Sequence, residues 1–320
     1  MQPTRRLLAI DGGGIKGVFP ASFLATLERA TGKRVVDYFD LIAGTSTGGI
    51  IALGLGLGFS AEEILSFYKS DGPKIFDTFG LFASLRQSRR SKYDPDALQQ
   101  ALSRIFQGKR LGESLTRLII PAFDSNRGSV RVFKTAHQPR FEMDHAETAV
   151  DVAMATAAAP TYFPAHDMNR GATLVDGGVW ANNPASLAAV ESLAVLKWVP
   201  EDTRLLSIGC TVVPLEIPAD LGYVRDNLSI IGLLMAGQSS NSIGMARLLL
   251  GDRPTSPRVF RIDPVVPDGK YTLDDCRNID ALAALGEAEA REFLPIYRAM
   301  LLEPPREPFQ PFHRTNSEAA

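Results

Sequence analysis

A glycine-rich run, Asp11-Gly12-Gly13-Gly14-Ile15-Lys16-Gly17, is followed along the chain by Gly44-Thr45-Ser46-Thr47-Gly48 and by Asp176-Gly177-Gly178. In that order they supply an anion cradle, a nucleophile and a carboxylate, the parts that ester hydrolysis needs. Ser46 sits in a Gly-x-Ser-x-Gly pentapeptide, where a tight turn exposes the hydroxyl and Gly44 and Gly48 avoid a clash. A serine requires a base to take its proton, and the attacked carbonyl requires donors for its oxyanion. Gly12, Gly13 and Gly14 lack side chains, so their amides can converge on an anion at a helix start, where the macrodipole also favours negative charge. Gly17 closes this run, and Gly177 and Gly178 let another backbone come close to Asp176. Structural roles compete with these readings: Ser46 as a helix cap, and Asp176-Gly177 as an ordinary turn.

The elements around the motifs decide between these readings. Each motif directly follows a short apolar run that reads as a strand, at residues 7–10, 41–43 and 173–175. Strand ends are where open α/β sheets place their chemistry. Helical segments are expected at 17–30, 47–57, from Asp94-Pro95, at 147–158, 184–196 and 279–300; strands are expected at 118–123 and 130–134, joined by the turn residues 124–128 as a hairpin or edge excursion, and at 205–208 and 259–262. The alternating order at the start is that of an α/β protein.

Candidate bases are Asp176 and the four histidines, His137, His145, His166 and His313. Ser46, Asp176 and His313 stand in the order of a hydrolase triad. His313 lies in a proline-rich tail poorly suited to holding a base, and His166, ten residues before Asp176, is the stronger rival. The glycine run also fits a dinucleotide fingerprint, Gly12-x-Gly14-x-x-Gly17, with Asp37 twenty residues beyond. That reading leaves Ser46 and Asp176 unexplained, and Asp37 precedes the second strand where the fingerprint needs it at the strand's end. Val18 occupies the lysine position of a phosphate-binding P-loop and excludes one. Lys16 is suited either to neutralising an anionic head group or to pairing with a core carboxylate. Asp274, Asp275, Glu287 and Glu289 lack metal-ligand spacing, so no metal is expected.

Composition narrows the classes further. The 320 residues are 45% apolar and 22% charged with a net charge of −2, ordinary for a globular protein and without general attraction for nucleic acid. Two cysteines, Cys210 and Cys276, form no disulfide framework, and the four apolar residues between Arg6 and Asp11 are too few for a secretory signal. The expected compartment is the cytoplasm. Uncharged stretches at 41–60 and 228–246 approach membrane-span length, but the first is glycine-rich and the second carries Gln238, Ser239, Ser240, Asn241 and Ser242. Neither is expected to span a bilayer, although both could supply lipid-facing or self-association surface. No linker divides the chain, so one domain over 1–302 is expected, with a flexible tail over 303–320.

The three motifs, in their order and separations, resemble the patatin-like phospholipases over residues 7–210. The resemblance implies a three-layer α/β/α sandwich with a mostly parallel central sheet. It implies Ser46 as nucleophile and Asp176 as its base in a Ser-Asp dyad without histidine, an oxyanion loop at Gly12 to Gly14, and membrane phospholipid as substrate. Residues 11–28, 35–58, 155–166 and 174–184 resemble more closely the bacterial subgroup that serves cyclic-oligonucleotide-based anti-phage defence. That likeness implies activation by a cyclic dinucleotide such as cyclic GMP-AMP (cGAMP), action at the inner face of the cell membrane through peripheral contact, and no cofactor for the chemistry. A basic run, Arg86, Arg89, Arg90 and Lys92, reads either as a solvated loop, as most charge runs do, or as the place that binds the activator's phosphates. A constitutive acyl hydrolase and a non-catalytic lipid- or nucleotide-binding module are the alternatives, and homo-oligomerisation is left open.

Overall fold

The computed structural model describes residues 4–76, 91–168, 171–214, 227–301 and 308–314. Its centre is a mixed sheet. Strands β1 (Arg5–Ile10), β2 (Leu41–Gly44), β3 (Arg117–Asp124), β7 (Thr203–Ile208) and β8 (Val259–Ile262) run parallel in the order β3-β2-β1-β7-β8. Antiparallel additions complete it: β4 (Ser129–Lys134) and β6 (Thr173–Asp176) both pair with β3, and β5 (His166–Asp167) pairs with β6.

The register brings the site together. Ile119 of β3 pairs with β2 on one edge and β4 on the other, while Ala122 to Asp124 pair with both β4 and β6. A residue has only two edges, so β2 and β6 share the same edge of β3. They run in opposite directions along it, and their C-terminal ends meet head to head: Ala43 is opposite Ile119 and Asp176 opposite Ala122. Residues far apart in sequence, one just after β2 and one at the end of β6, are thus delivered to one point.

Alternation along the strands sends side chains into two apolar layers. Leu8, Ile10, Ile42, Leu118, Ile120, Leu206 and Ile208 face the larger layer. It is formed by α1 (Val18–Thr31), α2 (Thr47–Gly56), α3 (Ala61–Ile75), α4 (Pro95–Phe106), α5 (Ala149–Ala157) and α9 (Ile279–Leu301). Leu7, Ala9, Leu41, Ala43, Ile119 and Leu205 face the other, built on α7 (Ala185–Val190) and α8 (Asn227–Leu250). A short helix, α6 (Gly178–Ala181), joins β6 to α7. The three-layer α/β/α architecture is therefore as expected, and the parallel centre carries an antiparallel wing that the motifs alone did not disclose.

Several boundaries differ from the sequence-based expectations for local reasons. The helix expected over 184–196 is α-helical only to Val190 and continues as a π-helical turn over Glu191–Val195, which places Glu191 inward against His137. The uncharged stretch at 228–246 is most of α8. Its mixed apolar and hydroxyl sequence gives no clear 3.6-residue stripe, because polar Ser242 and apolar Ala246 and Leu250 share the buried face. The boundary expected at 303 lies outside the described residues. Within 308–314, the Phe312 amide donates to the Ala136 carbonyl at 2.7 Å and the Arg117 guanidinium lies 5.1 Å from the centre of the Phe309 ring.

Candidate active site

Ser46 follows β2 directly and opens α2. Its φ of 54° and ψ of −123° are unusual for a residue with a side chain. Such backbone typically costs about 1–3 kcal/mol and persists only where the surroundings over-determine it. Here they do. The Ser46 amide donates to Thr156 Oγ1 at 3.0 Å, and Thr156 Oγ1 donates to the Pro121 carbonyl of β3 at 2.6 Å. Thr45 Oγ1 donates to the Ala181 carbonyl at 2.6 Å. The turn also draws the chain against itself: a Cβ on Gly44 would lie 2.1 Å from the Gly48 carbonyl oxygen, and one on Gly48 would lie 2.2 Å from that of Ile10. Gly17 is equally constrained, since its Cβ would fall 2.2 Å from Thr47 Oγ1.

The Ser46 hydroxyl donates to Asp176 Oδ2 at 2.6 Å. Asp176 Oδ1 accepts the Gly178 amide, also at 2.6 Å. The carboxylate is therefore held by both oxygens, and Gly177 is fixed beneath it by its amide bond to the Thr156 carbonyl at 3.3 Å. Asp176 is 5% exposed and Ser46 9%. Burial pushes the Asp176 carboxyl up from 3.8 to about 6, against the opposing hydrogen bonds from Ser46 and Gly178. A carboxylate so tuned stays ionised at neutral pH yet is a better proton acceptor than an exposed aspartate.

The glycine run passes directly over this pair. A Cβ on Gly12 would be 3.2 Å from Ser46 Cβ and 2.5 Å from Asn182 Oδ1. Gly12 was expected to aim its amide at an anion, but it donates instead to the Asn182 carbonyl at 3.0 Å. Asn182 Nδ2 answers by donating to the Gly12 carbonyl at 3.4 Å. The amides of Gly13 and Gly14 make no hydrogen bond with the described residues, and they precede the helical turn Gly14–Gly17. Gly14 has φ +58°, and its Cβ would lie 2.1 Å from the Leu273 carbonyl oxygen, so glycine is required there. Lys16 stands beside this loop, near enough for its charge to oppose in part the rise that burial gives the Asp11 carboxyl and the Cys210 thiol, and has no ion pair among the described residues.

Three supports of the site carried no motif. Arg261 of β8 grips Asp11 with both nitrogens, at 2.9 and 2.6 Å, and also reaches Ser207 Oγ at 2.7 Å and Asp263 Oδ2 at 2.5 Å. It ties the start of the glycine run to β7 and β8. Asn182 couples that run to the segment after Asp176. Thr156 holds the serine turn, and its one visible trace in the sequence is a lone hydroxyl within Val152-Ala153-Met154-Ala155-Thr156-Ala157-Ala158. Thr156→Val keeps the shape and removes both bonds. We expect it to cost about 1–3 kcal/mol of stability, as unsatisfied buried groups do, and to lower kcat more than it raises KM, read by urea unfolding and steady-state kinetics.

No histidine shares the site. His166 bonds Asp151 at 3.2 Å, His137 bonds Glu191 at 2.9 Å, and His145 stacks on His313 at 5.7 Å between ring centres. Of the basic run, Arg86, Arg89 and Arg90 lie outside the described residues. Lys92 forms a 2.5 Å ion pair with Asp274. Among the described residues no cluster of His, Cys, Asp or Glu is placed to hold a metal, and no helix is long and apolar enough to cross a membrane.

A model of the family described as "Patatin-like phospholipase" matches residues 8–189. A cGAMP-activated phospholipase of Pseudomonas aeruginosa (strain BWHPSA011 / Pa011) is 35% identical over 303 residues, covering 89% of this chain and 90% of that one. A protein of the same description from Vibrio cholerae serotype O1 is 35% identical, covering 90% of each. Patatin-like protein 2 of Arabidopsis thaliana is 39% identical over 211 residues, covering 58% of this chain and 52% of the other.

Proposed function

The chain belongs to the patatin-like phospholipase family and is a lipid hydrolase, and from that premise we propose that Ser46 and Asp176 hydrolyse fatty acyl esters of membrane phospholipids as a dyad. The observation that carries this reading is the 2.6 Å bond from Ser46 Oγ to a buried aspartate, with every histidine engaged elsewhere. Asp176 takes the hydroxyl proton as Ser46 Oγ bonds to the acyl carbon. The carbonyl oxygen becomes an oxyanion, received by the amides of Gly13 and Gly14. Collapse expels the lysolipid oxygen, which takes the proton from Asp176 and leaves an acyl-Ser46 ester. Water then gives a proton to Asp176 as it attacks that ester. The proton returns to Ser46 Oγ when the fatty acid leaves. Gly12 shapes this loop through Asn182 without donating to the oxyanion, and Lys16, unpaired among the described residues, faces the phosphate of the substrate.

The base must be ionised to act, so activity is lost as pH falls through its pKa. With the Asp176 carboxyl at about 6, kcat/KM should be level near pH 8 and fall about tenfold per unit well below pH 6. A profile measured with an uncharged soluble ester checks this. A histidine base would instead give a limb that follows substitution of that histidine, so His166→Gln should leave the profile unchanged.

Control by a cyclic dinucleotide in anti-phage defence is the finer part of the proposal, supported by the names of the bacterial relatives. Vesicle hydrolysis with and without cGAMP tests it. Stimulation of tenfold or more is the expected result, using about tenfold as the span of a modest coupling energy. Equal rates would make this a constitutive acyl hydrolase, as the likeness to the plant proteins allows.

A further inference from the structure

Helix α8 changes character along its length: its last turns bury Ala246 and Leu250 in the smaller apolar layer, whereas the turns before them meet the protein through polar side chains. Its sequence from Asn227 to Ala246 carries no charge. Over 238–242 the contacts with the protein are polar: Gln238 Oε1 accepts the Asn183 amide at 3.1 Å, Ser239 Oγ accepts Asn183 Nδ2 at 3.2 Å, and the fully buried Ser242 donates to the Asn183 carbonyl at 2.7 Å. Leu233 and Leu234 are 38% and 67% exposed. A helix that only packed on a sheet would be arranged the other way round.

The direction of the helix gives those leucines a place. The Leu250 carbonyl accepts Arg258 Nη1 just before β8 begins, whereas Ser239 accepts Arg261 near the end of β8. The helix therefore runs against the strand, and residues before Ser239 continue past the C-terminal ends of β1, β7 and β8. That is the rim from which the glycine run and Ser46 emerge. At 1.5 Å per residue the helix extends roughly 18 Å beyond Ser239. Exposed apolar groups from other elements stand on the same rim: Val179 of α6, which packs on α8 two residues before Ala181, and Val212 and Val265, paired just past the ends of β7 and β8.

We infer that the projecting part of α8, with Leu233 and Leu234 flanked by Val179, Val212 and Val265, is the surface that seats this protein on a phospholipid bilayer. This deepens the proposed reading and rests on it: a site that cuts bilayer lipids must meet them at its own rim. An uncharged helix end can enter the boundary between head groups and acyl chains, where each buried apolar side chain adds to binding. The hydrogen bonds from α8 to Asn183 join this surface to Asn182 and hence to the glycine run.

The test uses co-sedimentation with phosphatidylethanolamine/phosphatidylglycerol vesicles, made in the Ser46→Ala background so that no lipid is consumed, with cGAMP present. Leu233→Asp/Leu234→Asp should reduce vesicle partition by at least roughly tenfold. Leu248→Asp, more exposed still but at the opposite end of the helix, should leave partition unchanged. In the Ser46 protein, both variants should hydrolyse a soluble short-chain ester at the parental rate. Partition of the double variant equal to the parent, or an equal loss in Leu248→Asp, overturns the inference. Failure of the catalytic reading shows separately, as soluble-ester hydrolysis that survives Ser46→Ala.

Discussion

Asp176→Asn should lower kcat for ester hydrolysis by about 10⁴-fold or more, with little change in KM. The amide oxygen can still accept from Ser46, at the expense of the bond from the Gly178 amide, so the side chain stays beside the serine and the affinity for substrate persists. What is lost is the only group among the described residues in contact with Ser46 Oγ that can take its proton. Comparable losses follow when the base system of a serine hydrolase is removed and its oxyanion site retained. The same substitution should make the protein more stable at neutral pH. A carboxyl at about 6 in the fold and near 3.8 in the unfolded chain binds its proton more tightly when folded. Its contribution to stability is fully present below the unfolded value and is lost as pH rises through the folded one. Above pH 7 the ionised, buried Asp176 is therefore a burden of up to about 3 kcal/mol, the equivalent of a shift of about two units. Thermal melts at pH 8 should rise in Asp176→Asn, and the gap from the parent should shrink toward pH 4. A variant that is both slower and more stable is the pattern of a group placed for chemistry.

Gly14→Ala is the second large effect, expected at about 10²–10³ in kcat, the usual consequence of losing an oxyanion donor. The added methyl would fall 2.1 Å from the Leu273 carbonyl oxygen, and the backbone there has φ +58°. Both conflicts are relieved only if the loop moves, which carries the Gly13 and Gly14 amides away from Ser46. Gly32→Ala provides the comparison. Gly32 has a similar φ of +69° but nothing within 4 Å of a new Cβ, and it caps α1 away from the site. It should cost about 1 kcal/mol of stability and leave kcat alone. If the two glycine variants lose equal activity, backbone strain in general and not the position of the loop is responsible.

The fold was legible where strands are short apolar runs ended by glycine motifs, because those runs have few other ways to bury themselves. The boundaries expected for β7 and β8 differ from those found by no more than two residues. Of the antiparallel wing, the β3–β4 hairpin was legible from the turn residues 124–128, but the place of β6 was not, since whether it joins β3 alongside β2 depends on pairing across fifty residues or more and on no local signal. Helix α8 was missed for the opposite reason: its inward face passes from Gln238, Ser239 and Ser242 to Ala246 and Leu250, and a periodicity argument looks for apolar residues throughout. In the site, Ser46 and Asp176 announced themselves because strained turns leave glycines around them. Arg261, Thr156 and Asn182 act through hydrogen bonds from distant elements, which no spacing records. Gly12 shows the limit of motif reading from the other side. The motif identified its smallness correctly, but the direction of its amide was decided by Asn182, 170 positions away.

The claim on which the rest depends is that Ser46 is activated by Asp176 alone. Labelling with a fluorophosphonate, followed by peptide mass spectrometry, measures it most directly because the reagent requires an activated serine and no lipid surface. A single adduct is expected on the peptide containing Ser46, formed at least about 10³-fold more slowly in Asp176→Asn and at the parental rate in His166→Gln. An adduct on another residue, or undiminished labelling in Asp176→Asn, would contradict it.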